Sequence, residues 1–239
     1  SCIMHLGGLL SKADDPDTHQ TVFEVNVRGT LNILEAVRER KPRVIFPSTG
    51  LIYGDHRSPF REYMEPRPGD FYALSKHLAE QTIAFAGRRY AIPYVILRIA
   101  VIYGPGQGGG MFVPALLAAL HRGREFPMTG GEQKRDLVHV DDVAAAFDAA
   151  RSYDGPSDVF NVSTGKPRTM REVAGLAEEI VGVRGKVKTG ALPYRDNEVW
   201  EYSLDNTRAR EHLGWTPAID LRDGLVSTVA GEHKGEDDQ

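Results

Sequence analysis

The sequence predicts an α/β protein built on a parallel sheet with a smaller second lobe. Two observations predict it. Apolar runs of strand length alternate with long amphipathic stretches up to about residue 104, the pattern of strands joined by crossover helices. One of those runs, residues 94–102, is apolar almost throughout, as suits a parallel strand buried on both faces.

The elements follow in order. Cys2-Ile3-Met4-His5-Leu6 is a short strand stopped by Gly7-Gly8. Residues 21–40 read as a helix, with Phe23, Val27, Leu31 and Leu34 on one face and charges on the other. After Pro42, Arg43-Val44-Ile45-Phe46 is a second strand ending at Pro47-Ser48-Thr49. Residues 71–89 form a second long helix, and residues 94–102 a third strand ending at Tyr103-Gly104-Pro105-Gly106. Gly106–Gly110 is a flexible loop, and residues 113–122 a helix. Asp141 or Asp142 is placed to cap a helix running to about Arg151, and residues 159–162 form a further strand. Thr169-Met170-Arg171-Glu172 has the form of a capping box and opens a helix that Gly182 ends. The polar tail past Gly231 is expected to fray.

Bulk properties exclude several functions. A net charge of −4, with no Lys/Arg run or basic aromatic stripe, argues against a nucleic-acid partner. The single cysteine, Cys2, rules out an intrachain disulfide framework and fits a reducing, cytoplasmic compartment. No His/Cys spacing suits a zinc ion, so no metal site is expected. No apolar run is long enough to span a membrane. The 239 residues suffice for a large core.

The chemistry lies in Tyr72-Ala73-Leu74-Ser75-Lys76. A Tyr four residues before a Lys puts both side chains on one helix face. A neighbouring ammonium favours the phenolate, so Tyr72 can act as general base toward a substrate hydroxyl. By itself the pair is a common exposed pattern. Its setting makes it specific: Thr49 falls at the C-terminal end of a parallel strand, where open α/β sheets place their ligands. Thr49 can hold the oxygen that Tyr72 deprotonates, and Ser48 supplies a second hydroxyl.

These residues, in their order, resemble the extended short-chain dehydrogenase/reductases, specifically the NAD-dependent epimerase/dehydratase group acting on nucleotide sugars. His5-Leu6-Gly7-Gly8 resembles that family's His-Leu-Ala-Ala strand end. Asn26-Val27-Arg28-Gly29-Thr30 resembles its Asn-Val-x-Gly-Thr helix motif. Ser48-Thr49 through Tyr53-Gly54, the Tyr72–Lys76 pair and Tyr103-Gly104-Pro105 follow in register. So do the stretch from Gly130 through Arg135-Asp136 to Val143, Phe160-Asn161-Val162 and Leu213-Gly214-Trp215-Thr216-Pro217.

The resemblance implies a Rossmann-like sheet over residues 1–104 plus 136–163, a partial dinucleotide-binding domain whose N-terminal βαβ part is absent. A sugar-nucleotide lobe would take 105–135 plus 164–232, with a disordered tail at 233–239. It implies NAD as cofactor, bound by Leu6, Gly7, Gly8, Asn26, Ser48, Tyr72, Lys76 and Tyr103. It implies Thr49, Tyr72 and Lys76 as catalytic residues, and substrate contacts at Thr49, Val101, Arg135 and Arg195. Lys76 would hold the nicotinamide ribose. Tyr72 would take a proton from a sugar hydroxyl while hydride leaves the same carbon, and a transient keto sugar would take it back on its other face. Arg135 would grip the nucleotide diphosphate with its forked donors. Arg195 reads either as a second such arginine or as a solvated loop charge. A homodimer through the two long helices is implied.

Three departures qualify the resemblance. The Gly-x-x-Gly-x-x-Gly turn that approaches the pyrophosphate does not occur in the sequence. The strand at residues 2–6 then forms an apolar edge, to be covered by a preceding segment or by another chain. Gly50-Leu51 stands where 4,6-dehydratases carry Asp-Glu, which disfavours dehydration. Val101 stands where many members carry Asn. Epimerisation is therefore the leading expectation. A nucleotide-sugar reductase or dehydrogenase of the same family, and a non-catalytic binding protein, are the alternatives.

Overall fold

The computed structural model describes every residue except Lys12, Gly109, Asn197 and 237–239, and no side chain within 232–236. Gly109, in the loop expected at Gly106–Gly110, and the last three residues of the expected tail lie outside the described residues. In chain order the elements are β1 (Cys2–Met4), α1 (Pro16–Phe23), a π-helical turn (Glu24–Arg28), α2 (Gly29–Val37), β2 (Arg43–Thr49), α3 (Phe71–Tyr90), β3 (Tyr94–Ile99), β4 (Val101–Tyr103), α4 (Phe112–His121), β5 (Phe126–Pro127), β6 (Lys134–Arg135), β7 (Leu137–His139), α5 (Val140–Ser152), β8 (Asp158–Val162), β9 (Arg168–Thr169), α6 (Met170–Val181), β10 (Val187–Lys188), β11 (Glu201–Tyr202) and α7 (Leu221–Glu236). The backbone of α7 is helical through Glu236, past the point where the sequence reading begins its tail.

The chain divides into two compact units. The first comprises Ser1–Ala100, Ala145–Val162 and Leu204–Trp215, and the second Val101–Ala144, Ser163–Ser203 and Thr216–Gln239. The boundary expected at 136 falls at residue 144, and the one expected at 104 falls at residue 100 because the third apolar run is two strands. Up to Ile99 it pairs with β2 and β8. Ala100 N–H still donates to Val162 O at 2.9 Å, but Val101 N–H donates to Asp136 O at 3.1 Å, and β4 pairs with β7. A continuous apolar run does not record a change of ladder partner.

The first unit carries a parallel sheet of order β1-β2-β3-β8. Val44, Ile45 and Phe46 of β2 and Val95, Ile96 and Leu97 of β3 are buried, as strands covered on both faces require. Leu34 of α2 and Ala79, Ile83 and Ala86 of α3 pack with Phe46 and Ile96 in one core cluster. Burying a ring such as that of Phe46 contributes roughly 1.5–3 kcal/mol. Strand β1 stops at Met4, short of the expected residue 6, because Leu6 N–H turns back to Met4 O at 3.1 Å.

The first helical stretch begins earlier than its apolar period suggests. Asp15 caps it, accepting from Thr18 N–H at 2.9 Å, and Pro16 sits in the first turn, a good start signal. Its buried line is Val22, Asn26, Thr30 and Leu34, not the expected Phe23, Val27, Leu31 and Leu34. The π-helical turn accounts for this: its wider turn brings a four-residue spacing closer to one straight line, and Leu31 turns outward.

In the second unit, α4 and α6 pack around Val113, Leu116, Leu120, Met128, Leu137 and Val173. Neither Asp141 nor Asp142 caps α5 as expected, because that helix already begins at Val140. The Asp142 carboxylate instead accepts from the main-chain N–H groups of Ala218 and Ile219 at 2.8 and 3.1 Å, pinning the segment before α7. The capping box of α6 is present, with Thr169 and Glu172 bonding reciprocally and Gly182 closing the helix in the left-handed conformation. Thr169→Ala should lower stability by about 1 kcal/mol, read as a lower urea midpoint at unchanged m-value.

Candidate active site

The site is assembled at the C-terminal ends of the first unit's strands. Strand β2 ends in Ser48 and Thr49, and Thr49 caps the 3-10 turn that follows, accepting from Leu51 N–H at 3.2 Å. Helix α3 packs on β2 and on that turn. Asp70 starts α3 by accepting from Ala73 N–H at 2.7 Å, which places Tyr72 in its first turn and Lys76 one turn on.

Asn26 fastens the Gly-rich end of β1 to α3. Its Oδ1 accepts from Leu9 N–H at 2.7 Å, and its Nδ2 donates to Leu9 O and to Ser75 Oγ, each at 2.9 Å. The π-helical turn gives this buried side chain its station. A Cβ on Gly8 would stand 3.4 Å from Asn26 Oδ1 and 3.7 Å from Lys76 Nζ, so the loop runs close over the lysine. Gly7 lies beside the His5 ring. Leu6 is 62% exposed, so its side chain projects outward.

Lys76 is 5% exposed. Its ammonium lies 4.1 Å from the centre of the Phe46 ring, and the described residues give it no hydrogen-bond partner. Burial pulls its pKa down to about 8, against the opposing charge of Glu80. His5 is lowered too, by burial and then by Lys76, so it is neutral at pH 7. Its Nε2 bonds Thr30 Oγ1 at 2.9 Å.

Tyr72 departs from expectation. Lys76 does not bring its phenol toward neutral pH; burial, and then the charge of Asp70, push it up to about 12. Asp70→Asn tests this, since Asn still caps a helix and removes only the charge. Any limb of the activity–pH profile set by Tyr72 should move to lower pH, with melting temperature held.

The remaining expected residues belong to the second unit. Val101 is half-buried in β4. The Tyr103 ring is a core side chain: a Cβ on Gly224 would overlap its hydroxyl. Any ligand contact at Tyr103 therefore comes through its main chain. Arg135 is held by its own unit, its Nη2 on the Glu198 carboxylate at 2.5 Å and its Nη1 on Val199 O at 2.6 Å. Arg195 is exposed, with no side-chain partner among the described residues.

Sequence reasoning passed over Glu198 and a buried pair behind the site. Glu80 of α3 and Arg98 of β3 meet at 2.8 Å, their side chains 3% and 7% exposed. The spacing Tyr72, Lys76, Glu80 was the available signal for Glu80. Among the described residues no group of three or more His, Cys, Asp or Glu is arranged to hold a metal ion, and no helix is long and apolar enough to cross a membrane.

The residues fit one half of a dinucleotide. Ser48 Oγ is buried without a partner, and the Lys76 ammonium lies over the Phe46 ring with no hydrogen-bond partner among the described residues. Such groups call for hydrogen-bonding atoms from a ligand, and a ribose with its vicinal hydroxyls offers them. A glycine turn for the pyrophosphate half is not in the sequence.

Comparison with known proteins agrees. Residues 1–163 match the family described as NAD dependent epimerase/dehydratase. The chain is 34% identical over 237 residues to the UDP-glucose 4-epimerase of Mycolicibacterium smegmatis, covering 95% of this chain and 74% of that one. Among solved structures, UDP-glucose 4-epimerase of Thermotoga maritima with UDP-glucose aligns at TM-score 0.91 and 32% identity, over 98% of this chain and 78% of that one. MoeE5 in complex with UDP-glucuronic acid and NAD aligns at TM-score 0.90 and 29% identity, over 98% and 80%.

Proposed function

The chain belongs to the NAD-dependent epimerase/dehydratase family, and from that premise we propose that it epimerises a nucleotide sugar with NAD as cofactor. The observation that carries this reading is the buried Ser48 Oγ without a partner at the end of β2, together with the Lys76 side chain on α3, 5% exposed and with no hydrogen-bond partner for its ammonium among the described residues, on the elements that carry Thr49 and Tyr72. Bound NAD supplies a two-electron acceptor that is restored within each turnover. Lys76 and Ser48 hold its ribose, and Asn26 keeps the loop at Gly7 and Gly8 in place beside it. Thr49 and Tyr72 bind the reacting sugar oxygen, and Tyr72 exchanges the proton with it. Arg135 and Arg195 take the diphosphate, Arg135 exchanging Glu198 for it.

Epimerisation is favoured over dehydration because Gly50 and Leu51 offer no carboxyl group to protonate a leaving hydroxyl. It is favoured over net reduction because the relatives at 34% and 32% identity named above are UDP-glucose 4-epimerases. We place the enzyme in the cytoplasm, as its single cysteine suits. We also propose a homodimer through the long helices, where Val25, Leu31 and Phe85 are exposed apolar side chains that a second copy would cover.

The test is product analysis with NAD and UDP-glucose. The expected result is UDP-galactose with no net build-up of NADH. Steady consumption of added NADH or NADPH would replace this reading with the reductase, and nucleotide-sugar binding without turnover would replace it with a binding protein.

A further inference from the structure

Glu80 lies one turn beyond Lys76 and two beyond Tyr72, so the three side chains share a face of α3. Arg98 grips its carboxylate at two points, Nε donating to Oε1 at 3.1 Å and Nη2 to Oε2 at 2.8 Å. The third nitrogen, Nη1, donates to the Tyr53 hydroxyl at 3.1 Å and to Glu62 O at 3.2 Å. Tyr53 donates in turn to Asn161 Oδ1 at 2.7 Å, and Asn161 Nδ2 donates to Phe60 O at 3.0 Å and Asp205 O at 3.1 Å. Sheet register completes the frame: Ser48, Arg98 and Asn161 are direct neighbours across β2, β3 and β8. A planar two-point contact resists both rotation and sliding of the helix that carries it.

We propose that Glu80, clamped by Arg98, is a positioning residue for the Tyr72–Lys76 pair, fixing the rotation and rise of α3 against the ends of β2 and β3. The catalytic meaning of that pair rests on the function proposed above; the clamp itself does not. Glu80 is also the negative charge nearest in sequence to the Lys76 ammonium on that face. The other groups near the ammonium are His5, one residue past the end of β1, and the Phe46 ring from β2, and Tyr72 precedes it by one turn on its own helix. Fold stability alone does not require such a pair, since apolar replacements of buried ion pairs are often neutral or stabilising.

The experiment uses the full chain as Glu80→Gln and as the double variant Glu80→Met with Arg98→Met. The first readout is the rate of Lys76 acetylation against pH, followed by mass spectrometry without cofactor or substrate. Its midpoint should fall by about 1 pH unit in Glu80→Gln. The second is turnover, which should fall about 10- to 100-fold in the double variant at unchanged melting temperature and KM. A folded double variant with wild-type turnover, or a folded Glu80→Gln with an unmoved midpoint, overturns the proposal. Should these variants not fold, Tyr53→Phe removes a single hydroxyl from the frame. It should lower turnover less than the double variant does, and unchanged turnover there overturns the proposal as well. The acetylation midpoint needs no catalysis, so failure of the epimerase reading leaves it standing.

Discussion

Tyr72→Phe should lower turnover by about 10²–10⁴-fold, the usual contribution of a positioned acid–base group, and leave the fold intact. Among the described residues the Tyr72 hydroxyl makes no hydrogen bond, so its removal orphans no partner and stability stays within about 0.5 kcal/mol. The ring remains, so KM for the nucleotide sugar changes little. With the phenol pushed up to about 12, forming the phenolate at pH 7 costs about 7 kcal/mol at 1.36 kcal/mol per unit. At neutral pH Tyr72 therefore stands as a hydrogen-bond donor, the form that steadies a keto oxygen and returns a proton to it. In the proton-abstracting direction the phenolate fraction rises tenfold per pH unit, so the wild-type rate should climb with pH where Tyr72 is the base. That climb should vanish in the variant. Rate profiles by product chromatography, with circular-dichroism melts as control, decide the matter; a folded variant with near wild-type turnover and an unchanged profile removes Tyr72 from the chemistry.

What the sequence discloses here is what lies close along the chain. Tyr72 and Lys76 are one helical turn apart, Thr49 sits where an apolar run meets a turn, and Thr169 and Glu172 cap their helix through local bonds. All of these are visible as spacings. Asp15-Pro16 is also a local start signal, lying ahead of the apolar period on which the reading of a helix at residues 21–40 rests. The partner switch at Ala100 is invisible because residues on both sides of it are apolar. Glu80 and Arg98 are 18 residues apart in sequence, and nothing local says that they meet. The phenol of Tyr72 moved against expectation for the same reason: proximity of Tyr and Lys is a matter of spacing, whereas burial is a property of the packed unit. Tyr103 shows it again, its motif position legible and its ring committed to a core that only the fold defines.

Lys76→Met should stabilise the protein while abolishing turnover. An ammonium brought from an ordinary 10.5 to about 8 carries a burial penalty of about 3 kcal/mol at 1.36 kcal/mol per unit. Below pH 8 both folded and unfolded chains hold the proton, and the penalty is complete. Between about pH 8 and 10.5 the unfolded chain keeps the proton and the folded chain releases it, so wild-type stability rises through that window. Methionine fills much of the same volume over the Phe46 ring without the charge. The gain at pH 7 should therefore approach about 3 kcal/mol, or roughly 6–12 °C in melting temperature for a chain of this size, and shrink as pH passes 8. Turnover should be lost at every pH, because no cation is left to hold a ribose. A stabilised but inactive variant would show that the lysine is kept for chemistry at the expense of the fold, the trade expected of a site residue. A variant less stable than wild type at pH 7 would mean that the ammonium is already satisfied where it lies, and the ligand-seeking role assigned to it would fall.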